Sequence, residues 1–324
     1  MKTMQVVLAA AVGFAFQETP PDKPAPGKPV TLPGKMIEHR FFLHPVAVDG
    51  SVVTFVTDTG GGLFISSKAA DRLKLARQKI SADGRDMDAV PFPEFKPGAS
   101  IPPPIMDRGV CLPVLPDSEV EQLGEGIEGL LGQVWFRDRV WTFDYKNGQL
   151  LLRAPGDVPQ HEPEHKAVLG FRVAGAGRRT SNHPRITIKV DGESLDVLFD
   201  TGATSHLSDA GVKALGDGRA SQRASSFINR TTMDQWRKNH PDWLVIEKAD
   251  RLGGGQDMIE VPKIEVAGFE VGPVWFAARP DKAYVWMSGM MDKRIVGALG
   301  GSGLKYFRIT VDYPAAVAVF EKID

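Results

Sequence analysis

Val52-Val53-Thr54-Phe55-Val56-Thr57-Asp58-Thr59-Gly60 is an apolar run that ends in a carboxylate and turns at once on Thr-Gly. The same construction recurs at Leu195-Asp196-Val197-Leu198-Phe199-Asp200-Thr201-Gly202. Runs rich in Val, Phe and Leu read as buried strands. A carboxylate at the end of a buried strand is costly unless it is presented to something. Two such ends in one chain point to two carboxylates facing each other. At short range both cannot ionise comfortably, so a close pair shares one proton. One member then serves as base and the other as acid.

The surroundings repeat along with the motif. Shifted by 142 residues, the two Asp-Thr-Gly tripeptides superimpose. Val48-Asp49-Gly50 falls on Val190-Asp191-Gly192, an Asp-Gly hairpin signal before each apolar run. After the motif, Ile65-Ser66 matches Leu207-Ser208, with each serine placed to cap a short helix ending near Leu73 or Leu215. A second block repeats at an offset of 168: Leu130-Leu131-Gly132 with Ala298-Leu299-Gly300, then Asp144-Tyr145 with Asp312-Tyr313. The second half therefore carries 26 extra residues between its blocks. Matched order in both halves predicts two homologous lobes.

The boundaries follow from composition. Arg153 to His165 has three prolines and no apolar periodicity, so it reads as a linker. The first lobe is expected at 36–152 and the second at 166–324. The fold class expected is mainly β, with few short helices. One helix is expected near Thr232 to Asn239, started by Thr231 or Thr232 and stopped before Pro241.

Charge and cysteine content exclude several classes. The chain of 324 residues has 39 basic and 40 acidic side chains, with no basic stripe for nucleic acid. A single cysteine, Cys111, rules out an intrachain disulfide framework and a cysteine metal cluster. At the N-terminus, Lys2, the apolar stretch Val6 to Phe16 and the small residues around Ala15 read as an export signal over 1–15. That stretch is too short for a membrane span. Residues 16–35 are Pro-rich and are expected to be an extended, poorly ordered arm. Export to the periplasm or beyond the cell is the localisation this implies.

Leu198-Phe199-Asp200-Thr201-Gly202-Ala203-Thr204, followed by Ala298-Leu299-Gly300 and Phe307-Arg308-Ile309-Thr310-Val311-Asp312-Tyr313, resembles the bacterial retropepsin-like domains of the aspartic peptidase family. With both halves in one chain, the arrangement is similar to the two-lobed pepsin-like enzymes. The resemblance implies a β-barrel in each lobe, with the apolar-apolar-Gly segment packed behind the catalytic loop. It implies that Asp58 and Asp200 hold a water between them and hydrolyse peptide bonds by acid–base catalysis. Thr59 and Thr201 would tie the two loops together, Gly60 and Gly202 would permit the tight backbone, and Thr204 would support its loop. It implies a monomer containing a pseudo-dimer of lobes, a peptide or protein substrate, and neither cofactor nor metal.

The first lobe departs from this pattern with Gly61-Gly62, where Ser or Thr usually follows. The pepsin-like flap carries a tyrosine, and the first half has only Tyr145, in a later strand. The flap candidate is the Pro-rich stretch Asp83 to Arg108. An alternative reading is therefore a weak or inactive relative that binds peptides or a partner between the lobes. A third is that only the second lobe is competent and pairs with another molecule.

Other features read as structure. Gly297 to Gly303 lacks the lysine of a phosphate loop. His161-Glu162-Pro163-Glu164-His165 is broken by proline and reads as solvated linker. Leu252 to Asp257 reads as a hairpin tip. Trp275 is expected in the core, while Trp236 and Trp243 fit either core or cleft wall. Neither Gly-x-Ser-x-Gly nor His-Glu-x-x-His occurs.

Overall fold

The apolar runs become strands, and the computed structural model describes residues 27–82, 85–106 and 111–323. The expected signal over 1–15 and residues 16–26 of the arm lie outside the described residues. The protein is mainly β, with few and short helices, as its patterning requires. Among the described residues no helix is long and apolar enough to cross a membrane.

Two large sheets repeat one plan. In the first, Phe55–Thr57 runs parallel to Gly129–Leu131, which pairs antiparallel with Leu63–Ser66. In the second, Glu193–Phe199 runs parallel to Gly297–Leu299, which pairs antiparallel with Ser226–Asn229. Val56 faces Leu130 as Leu198 faces Ala298. Each motif strand is thus central in its sheet and buried by neighbours on both sides, as near-continuous apolar runs require.

A third sheet of six strands joins the halves. Val30–Thr31, Gln149–Arg153 and Val140–Asp144 come from the first, and Phe307–Asp312, Val317–Lys322 and Lys166–Val168 from the second. Val140–Asp144 pairs antiparallel with Phe307–Asp312, and Thr142 stands opposite Thr310. Those two threonines are 168 residues apart, and their hydroxyls are 2.7 Å apart. Equivalent residues therefore meet, which sets a local two-fold axis between the halves. Phe143 and Phe199 touch beside it, ring centres 6.0 Å apart, and Phe136 stacks on Tyr313. The Asp-Tyr pairs serve as turns: Asp144 accepts from the Asn147 amide, and Asp312 from that of Ala315.

Several expectations need correction. Neither large sheet closes into a barrel among the described residues; each ends in free edge strands. Closure needs edge strands to pair with each other, and the strands from 140 to 153 and 307 to 322 are committed to the shared sheet instead. The arm's last residues are not loose, because Val30 and Thr31 pair with Leu152 and Leu151. Helix Arg230–Asn239 is capped by Asn229, whose side chain accepts from the Thr232 amide, rather than by a threonine. The Asp191-Gly192 hairpin forms as expected, both residues having positive φ. Around Asp49-Gly50 only the isolated bridge Val46–Val52 forms.

The serine caps are present. Ser66 accepts from the Ala69 amide at 3.1 Å, and Ser208 from that of Gly211 at 3.0 Å. In the sheet, however, the counterpart of Ser66 is Asn229. Phe64 and Ile65 pair with Leu130 and Gly129 just as Phe227 and Ile228 pair with Ala298 and Gly297. Ser66 and Asn229 stand 163 residues apart against 142 for the motifs, so 21 of the 26 extra residues fall between Gly202 and the sheet. They form the hairpin Thr204–His206 with Gln222–Ala224 and the helix Asp209–Leu215. Trp236 is core, packed on Phe276 with ring centres 5.4 Å apart, while Trp243 and Trp275 are partly buried.

Candidate active site

Each motif aspartate leaves its strand at the top of a parallel pair. The Asp58 amide donates to the Leu131 carbonyl at 3.1 Å, and the Asp200 amide to that of Leu299 at 3.0 Å. The apolar-apolar-Gly segments thereby hold both loops from behind. Their glycines are sterically required: a Cβ on Gly132 would sit 1.9 Å from the Gly62 carbonyl oxygen, and one on Gly300 1.9 Å from that of Ser225. Their role is support, as their sequence suggested.

The structure brings Asp58 and Asp200 together, each carboxyl group packed against the Thr-Gly turn of the opposite half. Burial pushes both above the usual carboxylate range, and the charge of Asp58 raises Asp200 further. The Gly60 amide donates to Asp58 Oδ1 at 2.8 Å, and the Gly202 amide to Asp200 Oδ1 at 3.1 Å. A Cβ on Gly202 would lie 2.1 Å from Asp58 Cγ, and one on Gly60 2.9 Å from Asp200 Cγ. Each motif glycine thus makes room for the carboxylate of the opposite half.

Thr59 and Thr201 lock the loops across the axis. The Thr201 amide donates to Thr59 Oγ1 at 3.0 Å, and the Thr59 amide to Thr201 Oγ1 at 3.2 Å. Thr59 Oγ1 donates onward to the Phe199 carbonyl at 2.6 Å. Both threonines are buried, so these bonds are shielded from water. Thr204 Oγ1 donates to the Gly202 carbonyl at 2.7 Å and accepts from Arg40 at 3.4 Å.

Gly61 has a reason in the geometry: a Cβ there would lie 2.6 Å from Asp58 Oδ2 and 2.7 Å from Leu130 Cδ2. The first loop folds down onto its own carboxylate, whereas Ala203 fits at the corresponding place in the second. Apolar clusters flank the pair on either side, one built on Val56, Phe64 and Leu130, the other on Leu198, Tyr284 and Ala298. Of the flap candidate, Arg85–Pro91 pairs with Gln78–Ala82, and residues 83–84 and 107–108 lie outside the described residues. Leu252 to Asp257 is a hairpin tip, with Gly253, Gly254 and Gly255 at positive φ.

Sequence reasoning missed Arg40 at the loops, which lies outside the repeated blocks and reaches across to Thr204 in the opposite half, so no local signal marks it.

The arrangement is a pair of carboxyl groups that meet at the junction of two halves, both pushed above the usual carboxylate range. A water bridging them can lose a proton to one as the other donates to a carbonyl oxygen. No protein-family model and no curated protein sequence matches the chain. Among solved structures it is similar to the soybean basic 7S globulin, with 10% identity and a TM-score of 0.45 over 90% of this chain and 94% of that one.

Proposed function

We propose that this protein is an exported aspartic endopeptidase acting through Asp58 and Asp200. The observation that carries the reading is the meeting of two partly buried carboxyl groups, one from each half, each packed against the Thr-Gly turn of the other across a local two-fold axis. Two carboxyl groups brought together this way, both ionising above their usual range, destabilise a fold, so their juxtaposition calls for a use. The raised ionisation of both keeps one proton on the pair at mildly acidic pH, which is the state that general acid–base hydrolysis needs. The apolar walls on both sides suit peptide side chains. The N-terminal signal supports a periplasmic or secreted site of action, and the internal pairing of halves supports a monomer.

The test is cleavage of a mixed peptide library from pH 3 to 7 by the purified protein, Asp58→Asn and Asp200→Asn. Turnover by the native chain and its loss, by at least about a thousandfold, in each variant is expected. Cleavage that survives either substitution overturns the assignment. The Gly61-Gly62 loop favours a second reading, a peptide-binding relative without turnover. Binding of a statine-type peptide with no cleavage at any pH would select it.

A further inference from the structure

We propose that Arg40 is a receptor for a carboxylate of the bound peptide, so that the cleft selects acidic peptides. This rests on the peptidase reading for the peptide, though not for the unpaired charge.

Three arginines are buried among the described residues: Arg40, Arg185 and Arg223. Arg185 pairs with Asp292 at 2.7 Å and with Asp196 at 2.8 Å, and Arg223 pairs with Asp217. Arg40 is 5% exposed and has no carboxylate partner among the described residues. Glu38, two residues before it, is taken: Arg219 donates to Glu38 Oε2 from Nε at 2.9 Å and from Nη2 at 2.6 Å. A guanidinium withdrawn from water without an anion is costly. Burial lowers its ionisation only to about 10, so deprotonation does not relieve the cost.

The bonds that Arg40 does make are weak. Nη1 lies 3.4 Å from the Leu123 carbonyl and 3.4 Å from Thr204 Oγ1, beyond the usual N–H···O range. Nε is sealed from solvent and has no partner. Nη2 has no partner either, and it is not sealed. The donors on Nε and Nη2 belong to a planar fork that matches a carboxylate, and here they meet no acceptor.

The place of the guanidinium ties it to the candidate active site. Arg40 opens the strand Arg40–Leu43, and its guanidinium carbon lies 5.2 Å from the centre of the Phe42 ring. Phe42 belongs to the apolar wall of Val56, Phe64 and Leu130. On the other side, Thr204 donates to the Gly202 carbonyl at 2.7 Å, and Gly202 packs on the Asp58 carboxyl group. The guanidinium thus stands where the wall of the first half meets the Asp200 loop of the second. The repeated plan does not demand a charge there. Phe42 faces Val56 as Arg185 faces Leu198, so the counterpart of Arg40, two residues earlier, is His183. A peptide lying along the wall brings its own groups to this seam. A carboxylate among them completes the kind of pair that Arg185 and Arg223 find within the chain.

The experiment measures binding of statine-type peptides by calorimetry at about pH 6, where peptide carboxylates are ionised. Glu is compared with Gln at each position in turn, and a free C-terminus with its amide, so that side chain and terminus are told apart as the source of the carboxylate. The proteins are the native chain, Arg40→Met and Arg40→Lys. The native chain should bind one carboxylate peptide about tenfold or more tightly than its neutral twin, as hydrogen bonds to a charged group give. In Arg40→Met that ratio should fall to about twofold or less, because no charged donor remains. In Arg40→Lys, which keeps the charge and loses the fork, it should be intermediate. A native chain with no carboxylate preference at any position or terminus overturns the proposal, as does a preference that Arg40→Met retains. Should Arg40→Met not fold, Arg40→Lys decides: a ratio lowered at least about threefold supports the receptor, and the native ratio overturns it. Peptides bound with this preference but left uncleaved refute the peptidase reading alone, and peptides cleaved without it refute the receptor alone. A chain that binds none of the peptides overturns both.

Discussion

Replacing Thr59 with valine tests the cross-axis lock, because valine keeps the shape and removes only the hydroxyl. Two bonds disappear. The Phe199 carbonyl loses the donor at 2.6 Å, and the Thr201 amide loses its acceptor at 3.0 Å. Both groups are buried, so neither finds water in exchange. Each unsatisfied group costs about 1–3 kcal/mol, which places Thr59→Val at roughly 2–5 kcal/mol of lost stability. Thr201→Val removes the acceptor of the Thr59 amide, a longer bond at 3.2 Å, and should cost only about 1–2 kcal/mol. Urea unfolding followed by tryptophan fluorescence measures both, with Thr59→Ser as the control that keeps the hydroxyl. The lock bridges the halves, so an accompanying fall in m would show that they have begun to unfold separately. Equal destabilisation by the two valine variants, or a Thr59→Val within about 0.5 kcal/mol of the native chain, refutes the reasoning.

Two further outcomes concern pH. Asp200 ionises well above its ordinary range because of burial and the Asp58 charge. The folded state thus holds a proton that the unfolded chain has released, and stability falls as pH rises through that range. Asp200→Asn should therefore unfold at a higher temperature than the native chain at pH 7, with the difference shrinking towards pH 4; a variant less stable at pH 7 contradicts the account. His183 works in the opposite sense: burial lowers it to about 4, so the folded state lacks a proton that the unfolded chain binds below about 6.5. Its contribution is complete above about pH 6.5 and is lost as pH falls to about 4, by up to about 3 kcal/mol. Urea midpoints measured from pH 4 to 7 should show an acid slope that His183→Leu flattens, and an equal slope in both proteins would dismiss it.

The repeat made much of the architecture legible beforehand. Two apolar strands ending in Asp-Thr-Gly, each with an apolar-apolar-Gly partner, are local patterns, and local patterns survive reading in one dimension. The serine caps were legible for the same reason, since Ser66 and Ser208 act on amides only three residues away. Less legible was which segment pairs with which. The offset of 142 aligned Ser66 with Ser208, yet the sheet aligns Ser66 with Asn229, because strand pairing rather than order along the chain fixes equivalence. Sheet closure failed in the same way: it depends on where the strands of residues 140–153 and 307–322 find partners, and these pair with each other.

Two similar β-rich halves, each ending a buried strand in Asp-Thr-Gly, were already written in the order of residues. Those properties follow from apolar periodicity, turn chemistry and repetition, all carried by neighbouring residues. Tertiary packing was needed to bring Asp58 and Asp200 together, to make each motif glycine clear space for the opposite carboxylate, and to lock the two loops through Thr59 and Thr201. The physical reason is distance along the chain. Hydrogen bonds, steric limits and shared protons act over a few ångströms, and these partners are separated by more than a hundred residues until the strands pair.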